Sequence, residues 1–210
     1  MTAGAKVPDQ DQDQDLAAVL AGARACRVCA GVLPLGPRPV LRVTDTARLL
    51  IVGQAPGTRV HETGIPWNDA SGDRLRRWLR LDREVFYDAS RVAIIPIGLC
   101  YPGTDPRGGD RPPRPVFAPL WHPPLHRHLK HLGLTLLVGG YAQAFHLGPR
   151  RKDSVTATVE AWRDYLPEFL PMPHPSWRNT GWLGRHPWFE AEVLPELGRR
   201  VAELVHDGGF

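Results

Sequence analysis

Hydrophobic residues gather in four short runs that longer segments of a different pattern separate. The runs are apolar almost throughout, as expected of strands that are covered on both faces of a sheet. They lie at 48–54, 92–99, 134–139 and 168–173. Elsewhere apolar residues recur at helical spacing. This spacing predicts helices at 16–26, 75–81, 120–132, 141–147, 155–166 and 187–205. Alternating strands and helices predict an α/β fold, a three-layer α/β/α sandwich with a short parallel sheet of about four strands.

The first fifteen residues differ from the rest of the chain. Asp and Gln alternate over 9–15 without an apolar residue, so we expect 1–15 to be a disordered acidic tail and 16–210 to form one domain. The formal net charge is +4, but the tail holds one Lys and four Asp, which leaves +7 on the domain. That excess favours an anionic partner such as nucleic acid, although an Arg-rich composition can also reflect genomic base composition.

The chain has no export signal, and no run approaches the roughly 18 apolar residues that a membrane span needs. We therefore expect a cytoplasmic protein without a membrane partner. Its three cysteines, Cys26, Cys29 and Cys100, are an odd number, which argues against a disulfide framework. They are predicted to be free thiols or metal ligands.

Two segments that follow predicted strands carry candidate chemistry, because ligands of parallel sheets bind beyond the carboxyl ends of the strands. The first is Gly53-Gln54-Ala55-Pro56-Gly57, whose glycines would let the backbone approach a ligand or would simply form a turn.

The second segment places His174 between two prolines, followed by Ser176. A histidine held this rigidly can act as an oriented hydrogen-bond donor or as an acid or base, unless it merely packs within the loop. Trp177 and Arg178 come next and suit stacking on, or clamping of, a nucleic-acid strand. The alternative is an exposed rim.

In order and separation these segments resemble the two active-site motifs of the uracil-DNA glycosylase superfamily, whose family 4 members carry Gly-Glu-Ala-Pro-Gly and His-Pro-Ser. Gly64-Ile65-Pro66-Trp67, which lies between them, is similar to the family's Gly-x-Pro-Phe. The resemblance covers about residues 24–205. It implies a monofunctional base-excision glycosylase that flips uracil or a related deaminated base out of damaged DNA, single- or double-stranded, and hydrolyses its N-glycosidic bond to leave an abasic site.

The same resemblance implies roles for individual residues. His174 would donate a hydrogen bond to the leaving base, Trp67 would stack on that base, and Ser176 would bind a DNA phosphate. The turn that holds the base would be Gly53, Ala55, Pro56 and Gly57. The loop that enters the duplex would be Trp177, Arg178 and Asn179.

Two departures concern catalysis and base recognition. Gln54 stands where family 4 has the carboxylate that positions the attacking water, and an amide cannot take a proton from water. Glu62, Asp69 or His61 are candidates for the general base that accepts the proton from water. Gln54→Glu should raise activity if water activation limits the rate. Pro96 replaces an asparagine that reads uracil, and Asn68 is the candidate substitute.

A third departure concerns the metal. Cys26, Cys29 and Cys100 match three of the four family 4 iron–sulfur ligands, but Phe117 stands at the fourth position. His122 could complete a site of three cysteines and one histidine. We expect instead that the thiols stay reduced, that a structural cluster is absent, and that the chemistry needs no cofactor.

Two rival functions remain: a catalytically weak or inactive relative that binds or senses damaged DNA, and an N-glycosidase of free nucleosides or nucleotides. The protein is expected to be a monomer. Among the remaining residues, His126, His128 and His131 are predicted to form a solvated basic face. The arginines expected near the strand ends are Arg59, Arg107, Arg111, Arg178 and Arg185.

Overall fold

The computed structural model describes residues 15–106 and 108–206, so most of the predicted tail and Arg107 lie outside the described residues. Asp15, which the sequence pattern assigns to the tail, caps the first helix. Its Oδ1 accepts a hydrogen bond of 2.7 Å from the N–H of Ala18. Asp15 therefore belongs to the start of α1 rather than to the predicted tail.

Helices and short strands alternate along the described chain, as the hydrophobic pattern predicts. In chain order they are α1 (Leu16–Ala25), β1 (Leu49–Val52), α2 (Thr58–Thr63), α3 (Ala70–Leu79), α4 (Arg83–Tyr87), β2 (Val92–Ile94), α5 (Phe117–His126), β3 (Leu134–Val138), α6 (Gly140–Leu147), α7 (Val155–Glu160), β4 (Phe169–Met172), α8 (Thr180–Arg185) and α9 (Leu194–His206).

The four strands form one parallel sheet in the order β2-β1-β3-β4. Successive side chains of β1 point to opposite faces, so Leu49 and Ile51 enter one core while Leu50 and Val52 enter the other. The first core is closed by α3, α4 and α9, and the second by α1, α5 and α6. This arrangement confirms the three-layer α/β/α sandwich.

Strands β1 and β2 are shorter than predicted, because the chain leaves the regular ladder near their carboxyl ends. Hydrogen bonds nevertheless continue between the two exit segments. The N–H of Ile97 donates to the carbonyl of Gly53 at 2.9 Å, and the N–H of Gly98 donates to the carbonyl of Gln54 at 2.9 Å. The turn after β1 is thus held against the segment after β2.

Several helices differ from their predicted bounds. Helix α5 runs from Phe117 to His126 rather than over 120–132, and the predicted helix 155–166 is α7 followed by a 3-10 turn at Trp162–Tyr165. The closing helix enters α9 through a π-helical turn at Phe189–Val193. Helices α2, α4 and α8 have only five or six residues each, too few to show a hydrophobic period.

Among the described residues, no helix is both long and apolar enough to cross a bilayer.

Candidate active site

A cavity of about 500 Å³ opens where the chain leaves β1, β2 and β4. Its volume is in the usual range for small-molecule pockets and can hold a nucleobase. Most of the predicted site residues line it, namely Gly53, Gln54, Ala55, Pro56, Gly57, Trp67, Asp69, His174, Ser176, Trp177, Arg178 and Asn179. Glu62 and Asn68 do not line it, whereas Asp110, which sequence reasoning missed, does.

His174 has a fixed orientation and a defined tautomer. Its Nδ1 accepts a hydrogen bond of 3.2 Å from the backbone N–H of Ser176. A backbone N–H can only donate, so Nδ1 carries no proton and the neutral ring carries its proton on Nε2. The side chain of Asn179 donates to the carbonyl of His174 at 2.7 Å, which holds the backbone of the same loop. Nε2–H is therefore a ready donor.

The electrostatic environment keeps this imidazole neutral. Desolvation lowers the pKa of His174 below its ordinary value, although the negative charge of Asp69 opposes the shift. At pH 7 the ring is a neutral donor rather than a cation. It can strengthen its hydrogen bond to an atom that becomes negative without first losing a proton.

Trp67 forms a wall of the cavity next to His174. The two ring centroids are 5.6 Å apart and the planes are inclined by 34°. The indole also lies directly against Gly53, where an added Cβ would fall 2.7 Å from Cζ2 of the indole. Glycine at this position of the first motif is needed because the Trp67 ring occupies the space of a side chain.

The backbone of Trp67 is held in an uncommon conformation, with a φ of +56°. Its carbonyl oxygen would lie 1.7 Å from a Cβ at Gly72, so only glycine fits there. The buried guanidinium of Arg76 donates to that carbonyl at 3.2 Å and to the hydroxyl of Tyr87 at 3.2 Å. Tyr87 in turn donates to the carbonyl of Pro66 at 2.8 Å. Sequence reasoning missed this network, because Arg76 is an ordinary helix residue with no motif around it.

Asp110 brings a carboxyl group to the first motif from the loop that follows β2. Its Oδ2 would be 3.4 Å from a Cβ at Gly57. The residue is exposed at the mouth of the cavity, but desolvation of the carboxyl group and repulsion from Asp69 raise its pKa, while Arg178 opposes the shift. A neighbouring bond fixes the same loop, since Nε2 of Gln54 donates to the carbonyl of Arg111 at 3.3 Å. No pattern in the loop sequence marks Asp110 as a site residue.

The three predicted general bases, and the predicted uracil-reading residue Asn68, occupy different positions. Asp69 lines the cavity and also caps α3, because its Oδ1 accepts a 2.8 Å hydrogen bond from the N–H of Gly72. Glu62 is exposed on α2, and His61 is buried beside Tyr101, with ring centroids 5.9 Å apart. Asn68 uses its Oδ1 to accept a hydrogen bond of 3.0 Å from Arg83. Only Asp69 of these four residues lines the cavity.

The loop after His174 projects from the cavity mouth. Trp177 is 74% exposed, which is the highest exposure of the large hydrophobic side chains described. The adjacent Arg178 lies 5.5 Å from the indole centroid and donates to the carbonyl of Gly108 at 3.3 Å. From below, Arg74 donates to the carbonyl of Ser176 at 3.1 Å. An exposed aromatic ring thus stands on a well-anchored loop.

Comparison with known protein families agrees with this geometry. The family model of the uracil DNA glycosylase superfamily matches residues 42–198, which is well over half of the chain and includes both motifs of the cavity. The chain belongs to the uracil-DNA glycosylase superfamily. The resemblance to family 4 within that superfamily stays a prediction.

In this uracil-DNA glycosylase superfamily member, the three cysteines are buried neighbours. Desolvation raises the pKa of Cys100 to about 11 and also raises that of Cys29, and the proximity of Cys26 raises both. Phe117, which the resemblance to family 4 predicts to stand at the position of a fourth cysteine, is 2% exposed and packs in the same core. Four thiolates are needed for an all-cysteine cluster, so the residues present do not fit one.

His122 does not complete the cysteine site. Its Nε2 lies 3.1 Å from the carbonyl oxygen of Pro96, and its ring packs against His126 and His146. His126 likewise leaves the predicted solvated face, since its Nε2 is buried. The prediction failed there because α5 turns this side of the helix toward α6, whereas His131 is exposed as expected.

Proposed function

We propose that this protein is a monofunctional DNA N-glycosylase that removes uracil or a related deaminated base and leaves an abasic site. The observation that carries the proposal is the neutral His174, whose unprotonated Nδ1 is held by Ser176 N–H beside the Trp67 wall. Superfamily membership and the position of the cavity at the strand ends support it.

The first step is cleavage of the bond between C1′ of the sugar and the base nitrogen. The electron pair of this bond leaves with the base, so the sugar becomes cationic and the base anionic. His174 Nε2–H donates to a carbonyl oxygen of the base as negative charge develops there. A single oriented donor of this kind is worth about 10²–10³ in rate.

Trp67 supplies the surface on which the flipped base lies. Aromatic stacking is worth about 1–3 kcal/mol per base and does not depend on its identity. Gly53, Gly72 and Arg76 hold the indole in place, so the surface exists before DNA binds. A base that stacks on Trp67 lies beside His174, with its carbonyl edge toward Nε2–H.

The second step is attack of water on the cationic sugar. The water oxygen forms a bond to C1′, and a carboxylate takes the released proton. Asp110 suits this role better than Gln54, because its raised pKa makes it a stronger proton acceptor and it lies against Gly57 of the first motif. Asp69 adds a second negative charge that stabilises the cationic sugar. The amide of Gln54 orients the loop and the water without accepting a proton.

Recognition of the base edge is less selective than in a site with an asparagine side chain. Pro96 lines the cavity without a donor, and its carbonyl already bonds His122. Base recognition therefore depends on backbone groups of the first motif and on His174. This supports activity on several deaminated bases that share a carbonyl group at the contact point.

DNA binding is assigned to the rim of the cavity. Trp177 would enter the stack in place of the flipped base, and Arg178 would contact a flanking phosphate. Ser176 lies between them and His174, where its hydroxyl can bind a second phosphate.

The decisive experiment incubates the protein with single- and double-stranded oligonucleotides that contain uracil, hypoxanthine or xanthine and then cleaves abasic sites with alkali. Strand breaks are expected with the wild type, and His174→Ala should reduce the single-turnover rate by about 10²-fold or more. The matched control is His131→Ala, an exposed histidine near the opposite end of the sheet.

The role of Asp110 needs its own pair of variants. Asp110→Asn should slow the reaction, whereas Asp45→Asn, an exposed aspartate before β1, should not. If Asp110 is the base, Gln54→Glu brings no gain, because it loses the bond to Arg111 and adds a third carboxylate. Tight binding without strand breaks would instead indicate a damage sensor, and release of base from free nucleosides alone would indicate a nucleoside hydrolase.

A further inference from the structure

Three histidines form a cluster on the other side of Pro96 from the cavity. His122 and His126 lie four residues apart on α5, and His146 lies on α6. Ring centroids are 6.0 Å apart for His122 and His126, 5.4 Å for His122 and His146, and 5.3 Å for His126 and His146. One ring nitrogen from each residue lies within 4.8 Å of the other two.

Each ring of the cluster has a buried nitrogen without a hydrogen-bond partner. These atoms are Nδ1 of His122, Nε2 of His126 and Nε2 of His146. A buried polar atom without a hydrogen-bond partner destabilises the folded state, so three in one place need an explanation. A cation bound by the three lone pairs would satisfy all of them at once.

The surroundings of His122 resemble those of a metal ligand. This side chain is 1% exposed, and its Nε2 bonds the carbonyl of Pro96. A carbonyl oxygen can only accept, so the proton is on Nε2 and the lone pair is on Nδ1. Metal-bound histidines usually make such a bond through the other ring nitrogen, because it fixes the tautomer and the ring orientation.

We infer that His122, His126 and His146 bind a divalent transition metal ion of the zinc class. Imidazole nitrogens suit Zn²⁺, and histidines one turn apart on a helix are a common ligand pair. Three protein ligands leave a fourth position for water or for Glu168. That carboxylate lines an adjacent cavity of about 340 Å³ together with His126 and His146.

The site has a structural role that is independent of the glycosylase proposal. An ion bound there joins α5 to α6 across one face of the sheet. It also steadies Pro96 through His122, because the carbonyl of that proline bonds the ring while the residue itself lines the active-site cavity.

The test is calorimetric titration of the metal-free full-length protein with Zn²⁺, repeated with Co²⁺ to record its visible d–d absorption. We expect one ion per chain, intense tetrahedral Co²⁺ bands and a higher melting temperature. His146→Phe and His126→Gln should each raise the Kd for Zn²⁺ at least about tenfold, as even the loss of an outer partner does. His131→Ala should leave it unchanged.

A Cys26→Ser/Cys29→Ser variant excludes the thiols as the site and should bind Zn²⁺ normally. Loss of binding in that variant, with binding retained in His146→Phe, would place the ion at the cysteines and overturn the inference. A folded wild type that binds no Zn²⁺ and gives no Co²⁺ bands would overturn it as well. If one histidine variant does not fold, the other variant and the wild-type spectrum still decide.

Discussion

Replacing Ser176 with proline tests whether the backbone of the second motif orients His174. Ser176 has a φ of −66°, which is the value that proline prefers, so the chain can keep its path. The substitution removes the N–H that donates to Nδ1 of His174 and puts a ring carbon in its place. At an N to Nδ1 distance of 3.2 Å that carbon cannot fit unless the imidazole turns.

The expected effect can be bounded. A hydrogen bond of this kind is worth about 1 kcal/mol, so the preference for the Nε2–H tautomer falls by about fivefold. If the ring also turns away, the loss approaches the 10²–10³ of a missing oriented donor. Stability should change little, because proline restricts the unfolded chain by about 0.4–1 kcal/mol and so offsets the lost bond.

The assay is the single-turnover rate on a uracil duplex at saturating enzyme, with Ser176→Ala as the matched control. Alanine keeps the backbone N–H and should keep the orientation of His174. The lost N–H donor had favoured the neutral ring, so its removal raises the pKa of His174. As the pH is lowered, the proline variant should therefore lose activity at a higher pH than the wild type does. Imidazole ¹⁵N shifts report the tautomer without any turnover. Wild-type rate and unchanged ¹⁵N shifts in Ser176→Pro would refute the reasoning.

Three further predictions concern the wall of the cavity, the protonation of His174 at low pH and the cysteine thiols. Gly53→Ala should push the indole of Trp67 by about 1 Å, since contacting carbons prefer a separation of 3.5–4.0 Å. We expect this displacement to lower the single-turnover rate about 10²-fold. The control is Gly31→Ala, whose Cβ meets nothing within 4 Å and which should change neither the rate nor the melting temperature. Because burial lowers the pKa of His174, its imidazole should stay neutral at pH 6, with ¹⁵N shifts close to those at pH 7.5; a ring that is about three-quarters protonated at pH 6, as for an ordinary pKa of 6.5, would contradict the assignment. The purified protein should be colourless, with three thiols that react with a disulfide reagent only after unfolding, since all three are buried; stoichiometric iron and sulfide would contradict this.

The elements that the sequence predicts well are those whose signal is local. Helix α6 and the four strands follow from short apolar patterns and appear close to their predicted positions. The buried face of helix α5 is not evident from the sequence, because histidines are polar residues. His122 and His126 are nevertheless turned toward α6, where their ring nitrogens are buried.

The residues of the candidate site likewise fall into two groups, those with a local sequence signal and those without one. Gly53–Gly57 and His174 stand out because a contiguous motif must shape its own backbone, and the structure brings these motifs to one cavity. Asp110 and Arg76 carry no such local constraint. Asp110 reaches Gly57 only through the loop after β2, and Arg76 reaches Trp67 only because α3 folds over it.

Taken by itself, the sequence determined the layered α/β architecture and the two motif turns, since both depend on patterns among residues within a few positions of one another. Tertiary structure alone decided which carboxylate meets the first motif, and it alone brought His146 of α6 to the two histidines of α5. These features depend on distances between atoms that lie far apart in the chain, and only the packing of the sheet and its helices sets those distances.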